Sequence, residues 1–132
     1  MIFEIFLALS FYFYISRNMK HESPYDLSLE VAASTFAALG SEQRLSVLRC
    51  LVRAGEEGLS IGELGKRSGV SGSTLTHHMK ILTQAGLTTQ MKQGRSIICA
   101  AVAYQELRTL SEFLLKECCA DSTTCPEDHI HG

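Results

Sequence analysis

From residue 27 onward, apolar stripes at helical spacing alternate with short polar breaks, and this rhythm predicts the elements. Residues 27–39 read as a helix anchored by Val31, Phe36 and Leu39 and stopped by Gly40. Ser41 is placed to cap the next helix, over 42–54. There Glu42, Ser46, Arg49 and Arg53 share a polar face, while Leu45, Leu48, Leu51 and Val52 lie opposite, the spacing of a helix packed on a core. Ser60-Ile61-Gly62-Glu63 has the form of a capping box, so a short helix begins there and closes at Gly69. Ser71 is expected to cap the following helix, on which Leu75, His78, Met79 and Leu82 fall in one apolar arc. Two short helices joined by a glycine-containing turn have the form of a helix-turn-helix.

Behind Gly86 the period changes. Leu87, Thr89 and Met91 alternate with polar neighbours, Lys92-Gln93-Gly94-Arg95 supplies a turn, and residues 96–102 form a second β-prone run. Residues 104–118 return to helical spacing, with Leu107, Leu110, Leu114 and Cys118 on one stripe. The expected fold is therefore mainly α with a β-hairpin wing: four helices, a hairpin and a last helix, as in a winged helix-turn-helix.

Charge sharpens this picture. The net charge of −2 argues by itself against a nucleic-acid partner. Residues 60–95, however, hold Lys66, Arg67, Lys80, Lys92 and Arg95 against Glu63 alone, a local +4, and the remaining residues carry −6. Such a basic stretch inside an acidic chain is the electrostatic footprint of a DNA-binding surface. Opposite the apolar arc of the second short helix stand Ser73, Thr76, His77 and Lys80, with Ser71 and Thr74 at its start. Hydroxyl and imidazole groups suit base edges or phosphates, and Lys80 suits a phosphate. Lys92 and Arg95 flank the turn of the wing, where they can reach the DNA backbone or the minor groove. The plainer reading of these positions is ordinary solvated surface; helix order, charge and hairpin together favour DNA. His78, inside the apolar arc, reads as a packed, hydrogen-bonded histidine rather than a base reader.

The run LGSEQRLSVLRCL, then LSIGELGKRSGVSGSTLTHHMKILTQAGL, then the hairpin around KQGRS, resembles the ArsR/SmtB family over residues 39–102. The resemblance implies a homodimer that binds double-stranded, inverted-repeat operator DNA as a repressor and releases it on binding an inducer. Dimer contacts would come from the first and last helices, here 27–39 and 104–118. The chain is expected to divide into three parts: an apolar extension (1–19), native or not, a winged DNA-binding and dimerisation domain (20–118) and a cysteine-containing tail (119–132).

Sensing sites in the family differ in position. Residues 59–64 hold no cysteine, so an arsenic site in the first helix of the helix-turn-helix is absent. Residues 104–118 hold no Asp or His, so a zinc site on the last helix is absent too. What remains is Cys118-Cys119 followed, after five residues, by Cys125, an arrangement resembling the C-terminal three-thiol arsenite site of one subgroup. Three soft thiolates match the pyramidal coordination of As(III), with Sb(III) a second candidate inducer. Neighbouring helical side chains diverge by about 100°, so Cys118 and Cys119 can share an ion only where the helix end unwinds. A thiol-based redox or reactive-sulfur sensor on the same residues is an alternative, as is a zinc or cadmium site completed by His129 or His131. Cys50 and Cys99 read as packing residues, with a sulfur-sensing pair of Cys50 and a last-helix cysteine as the alternative the resemblance leaves open.

Five cysteines, two of them adjacent, fit a reducing cytoplasm better than a secreted disulfide framework. No organic cofactor is expected, and no membrane partner for residues 20–132. The first sixteen residues are strongly apolar, but they are short for a membrane span and contain Glu4. Arg17 and Lys20 follow the apolar run rather than precede it, unlike a signal peptide. Met19 as the true start, a membrane-associated helix and a packed extra helix all stay open. Nothing suggests an enzyme: there is no phosphate-cradling glycine loop, no Cys-x-x-Cys on a βαβ unit and no oxyanion-hole motif.

Overall fold

A computed structural model describes residues 26–124. The extension 1–19, Cys125, His129 and His131, on which expectations also fall, lie outside the described residues. The order of elements is α1 (Leu29–Leu39), α2 (Glu42–Ala54), β1 (Leu59–Ser60), α3 (Ile61–Ser68), α4 (Gly72–Gln84), β2 (Thr88–Gln93), β3 (Ser96–Ala101) and α5 (Tyr104–Phe113). This is the expected mainly helical winged arrangement. None of the described helices is long and apolar enough to cross a membrane.

Local chemistry sets most of the boundaries. Helix α1 begins two residues later than the periodicity suggests, because the Ser28 hydroxyl accepts from the Val31 N–H. Its buried face is Ala32, Thr35 and Ala38, and Val31, expected as an anchor, is half exposed. Small residues let α1 lie close to its neighbours, and the Thr35 hydroxyl is satisfied by the Val31 carbonyl at 2.8 Å. Ser41 caps α2 as expected. That helix buries Val47, Leu48 and Leu51 and leaves Leu45 and Val52 nearly half exposed. The contact with the core is thus rotated towards Val47 relative to the expected stripe.

The Ser60 hydroxyl accepts from the Glu63 N–H at 3.2 Å, half of the expected capping box. The Glu63 carboxylate instead accepts from Arg67 Nε at 2.9 Å. Gly69 closes α3 in a left-handed conformation. Ser71, expected to cap α4, forms no side-chain cap bond; the chain turns through Gly72 at φ +64° instead.

The three antiparallel strands run in the order β1-β3-β2, with Leu59 opposite Cys99 and Thr88 opposite Ala101. The hairpin is anchored at one end only: Thr88 is buried and the rest of β2 is exposed. The expected alternation through Thr89 and Met91 is therefore not seen, since beyond Thr88 the strand has no core beneath either face. Glycine is obligatory at position 58, where φ is +67° and a Cβ would stand 2.2 Å from the Cys99 carbonyl oxygen. The core centres on Val47, Leu51, Leu64, Met79, Leu82 and Cys99, all fully buried.

The last helix is shorter than its 104–118 stripe. It ends at Phe113, and residues 114–122 follow as a chain of tight turns closed by bonds such as Cys118 N–H to the Leu115 carbonyl and Ser122 N–H to the Cys119 carbonyl. Helices of this length are held by packing one face, not by propensity. Leu110 is buried, but Leu114 and Leu115 are 67% and 68% exposed, so nothing among the described residues supports another turn.

Candidate DNA-binding face and thiol turn

Helix α4 is split cleanly by burial. Leu75, His78, Met79 and Leu82 face the core, while Ser71, Ser73, Thr74, Thr76, His77 and Lys80 are exposed. All six proposed DNA-facing residues of this segment are thus exposed, five on α4 and Ser71 just ahead of it. The carboxyl end of α4 is tied to the base of the wing. Thr83 and Thr88 hydroxyls meet at 3.0 Å, Gln90 Nε2 donates to Thr83 at 3.3 Å, and the Leu87 N–H donates to the Leu82 carbonyl at 3.0 Å. Helix and wing are therefore mutually oriented by short, specific bonds. At the far end Lys92 and Arg95 are exposed, with Gly94 at φ +58° making the tight turn between them. On α3, Arg67 lies beside Glu63; its hydrogen bond first and its charge second hold that carboxyl below the usual range.

His78 is buried and hydrogen-bonded, as its place in the apolar arc suggests. Its Nε2 lies 2.8 Å from Gln43 Oε1 on α2. Cys99 is fully buried in the core, where burial pushes its thiol up, and Cys50 packs against the same cluster. Both are packing residues.

The unwound end of α5 changes the geometry of the adjacent cysteines. Glu117 and Cys119 take left-handed conformations, at φ 59° and 60°, which non-glycine residues adopt only when the surroundings impose them. The Cys118 and Cys119 sulfurs come to 3.6 Å, with Cys118 exposed and Cys119 partly so. Two thiolates bound to one tetrahedral ion at about 2.3 Å stand roughly 3.7 Å apart, so the pair fits the edge of a thiolate site. A hydrogen bond with Cys119, then its charge, raises the Cys118 thiol. No metal-sized cluster of three His, Cys, Asp or Glu side chains occurs among the described residues, and Cys125, the third expected donor, lies outside them. Just before the thiols, the Lys116 ammonium donates to Asp26 ahead of α1, an ion pair across 90 residues.

Sequence reasoning did not find three of these features: strand β1, the Gln43–His78 bond and the Asp26–Lys116 pair. The first two-residue strand has no periodicity to read, and the two pairs join distant residues of unremarkable type.

A recognition helix with a polar outer face, joined to a basic-tipped hairpin, defines a winged helix-turn-helix DNA-binding protein. A family profile described as a helix-turn-helix domain matches residues 39–90. The HTH-type transcriptional regulator YceK of Bacillus subtilis (strain 168) is 39% identical over 67 residues, 51% of this chain and 66% of that protein. The putative arsenical resistance operon repressor ArsR of Halobacterium salinarum is 38% identical over 68 residues, 52% of each chain. The chain thus spans just under two thirds and about half of these curated relatives. The solved structure of an ArsR-like transcriptional regulator from Rhodococcus sp. RHA1 is 30% identical with a TM-score of 0.55, covering 70% of this chain and 82% of that one. The chain belongs to the ArsR family of winged helix-turn-helix transcriptional regulators. Its homologues are DNA-binding regulators, not enzymes.

Proposed function

We propose that this regulator is a homodimeric repressor of an arsenic-resistance-type operon, released from an inverted-repeat operator when Cys118, Cys119 and Cys125 bind As(III) or Sb(III). The observation that carries the reading is the 3.6 Å sulfur pair on the unwound end of α5. Thiolates are soft donors, and a third sulfur from the tail completes the three-coordinate set a trivalent soft ion prefers. The curated relative named as an arsenical resistance operon repressor lends the same direction.

On DNA, Ser71, Ser73, Thr74, Thr76 and His77 of α4 face the major groove, Lys80 a phosphate, and Lys92 and Arg95 the backbone or minor groove. The exposed apolar residues Leu29 and Val31 on α1 and Leu114 and Leu115 after α5 supply the second copy's contact surface. Cys118 and Cys119 then sit beside that surface. Gathering three thiolates reshapes the 114–122 turns, and Lys116, two residues ahead of Cys118, carries the change to Asp26 and α1. A dimer geometry altered in this way no longer matches two recognition helices to successive major grooves.

The test is fluorescence anisotropy of the reduced full chain on DNA from its own upstream region, titrated with arsenite and, separately, with zinc. Release by arsenite alone supports the reading. Release by zinc alone, or only on oxidation, replaces As(III) with one of the other thiol signals; no DNA binding overturns the whole account.

A further inference from the structure

His78 lies on the recognition helix, yet it faces inward. The residue is 8% exposed, and its Nε2 stands 2.8 Å from Gln43 Oε1. An amide oxygen can only accept, so Nε2 carries the ring proton and Nδ1 is a bare acceptor. Nδ1 is buried with no hydrogen-bond partner among the described residues. Gln43 is also followed by Arg44, whose Nε donates to the Ala38 carbonyl at 2.5 Å and so ties α2 to the end of α1. Two consecutive residues at the start of α2 therefore hold the recognition helix on one side and α1 on the other.

We propose that His78 is a positioning residue for DNA binding, holding α4 on α2 only while its imidazole is neutral, so that operator affinity falls as the solution is acidified. A second proton would have to enter at Nδ1, a buried atom with no acceptor among the described residues. The charged groups around it do not help. Arg44 faces it from α2, whose other charged residues, Glu42, Arg49 and Arg53, are exposed. His77, with its ring centroid 6.0 Å away, is its neighbour on α4, and Lys80 is exposed. Helix α1, packed on α4, carries only Glu30, exposed in its first turn, and β2 brings only Lys92, exposed towards the wing tip.

Burial first, then Arg44, then His77 lowers the affinity of His78 for a proton. The sign follows: the neutral pairing is fully in place above the ordinary imidazole range and is lost as pH falls through the lowered value. Protonation is relieved by swinging the ring away from Gln43, which frees the amino half of α4 from α2.

The inference rests on α4 binding DNA and not on the thiol turn, so the experiment uses the reduced full chain without any added ion. Operator affinity is measured by anisotropy between about pH 5.5 and 8 at fixed salt, in a His77→Gln background that leaves His78 as the one imidazole of α4. Affinity should fall roughly tenfold towards the acid end, with a slope of at most about one decade per pH unit per protomer. Adding His78→Gln, whose amide can donate to Gln43 Oε1 but cannot titrate, should flatten the profile whatever its absolute affinity. An unchanged acid loss in His78→Gln, or no acid loss in the His77→Gln background, overturns the proposal. Long-range ¹H–¹⁵N spectra of the wild-type imidazoles keep the question decidable should the variant misfold. The Nε2–H tautomer with a titration midpoint below an ordinary histidine's supports it; the Nδ1–H tautomer, or an ordinary or higher midpoint, overturns it.

Discussion

Gly58→Ala tests how the wing is fixed to the body of the domain. A Cβ at position 58 would lie 2.2 Å from the Cys99 oxygen and 3.0 Å from its carbonyl carbon. Both atoms are backbone of β3, the central strand, so neither can swing aside as a side chain would. Restoring ordinary contact requires a shift of about 1 Å between β1 and β3, which breaks the Leu59–Cys99 pairing. Placing a non-glycine residue at φ +67° costs about 1–2 kcal/mol. Losing or bending two strand hydrogen bonds adds about 1 kcal/mol each. The predicted loss is about 3–4 kcal/mol, a large share of the 5–15 kcal/mol typical of a domain. Urea unfolding with equal m-values provides the assay. Gly69→Ala serves as the control, because Gly69 is also left-handed (φ +72°) but a Cβ there meets nothing within 4 Å. That variant should lose only the conformational part, about 1 kcal/mol. Equal losses in the two variants, or less than about 1 kcal/mol for Gly58→Ala, would refute the close-approach argument.

Three further outcomes follow from the same geometry. Lys80→Ala should weaken binding to all sequences and reduce the slope of log K against log salt by about 0.9 per lost phosphate contact; Thr76→Ala or His77→Ala should instead relax base preference, by about 1–3 kcal/mol at the contacted position, as read by competition binding. Because burial raises the Cys99 thiol above its ordinary value near 9.0, the fold keeps this contribution below that pH and loses it as pH rises further. Cys99→Ala should therefore lower stability at neutral pH yet flatten its decline in alkaline urea titrations. The raised Cys118 thiol is protonated at neutral pH, and each thiol proton leaves with an arsenite hydroxide as water, so arsenite affinity should stay nearly flat through the neutral range. Zinc releases those protons instead, so its affinity should climb with pH; an arsenite affinity in calorimetry that climbs by about a decade per pH unit would contradict binding at the protonated thiols.

Much of the fold was legible in the sequence because it depends on short-range rules. Ser41 and Ser60 accept the N–H groups that cap α2 and α3, and the arc of Leu75, His78, Met79 and Leu82 lies inward as its spacing implies. Errors arose where tertiary packing decides. Periodicity extended the last helix through Leu114 and Cys118, but no surface among the described residues covers Leu114 and Leu115, and the helix stops at Phe113. Met91 alternates like a strand residue with a buried face, yet the wing has no core beneath it. Cysteine spacing pointed to the tail, whereas the 3.6 Å approach of Cys118 and Cys119 depends on left-handed backbone at Glu117 and Cys119 that no residue type there foretells. The Gln43–His78 bond is invisible to any local pattern because its partners lie 35 residues apart.

The central claim, that trivalent soft ions act through the C-terminal thiols, is tested most directly by arsenite-driven release of operator DNA. Wild-type protein should be compared with Cys118→Ser, Cys119→Ser and Cys125→Ser. All three variants should bind DNA like the wild type and no longer be released by arsenite. Release of all three at the wild-type concentration of arsenite would contradict it.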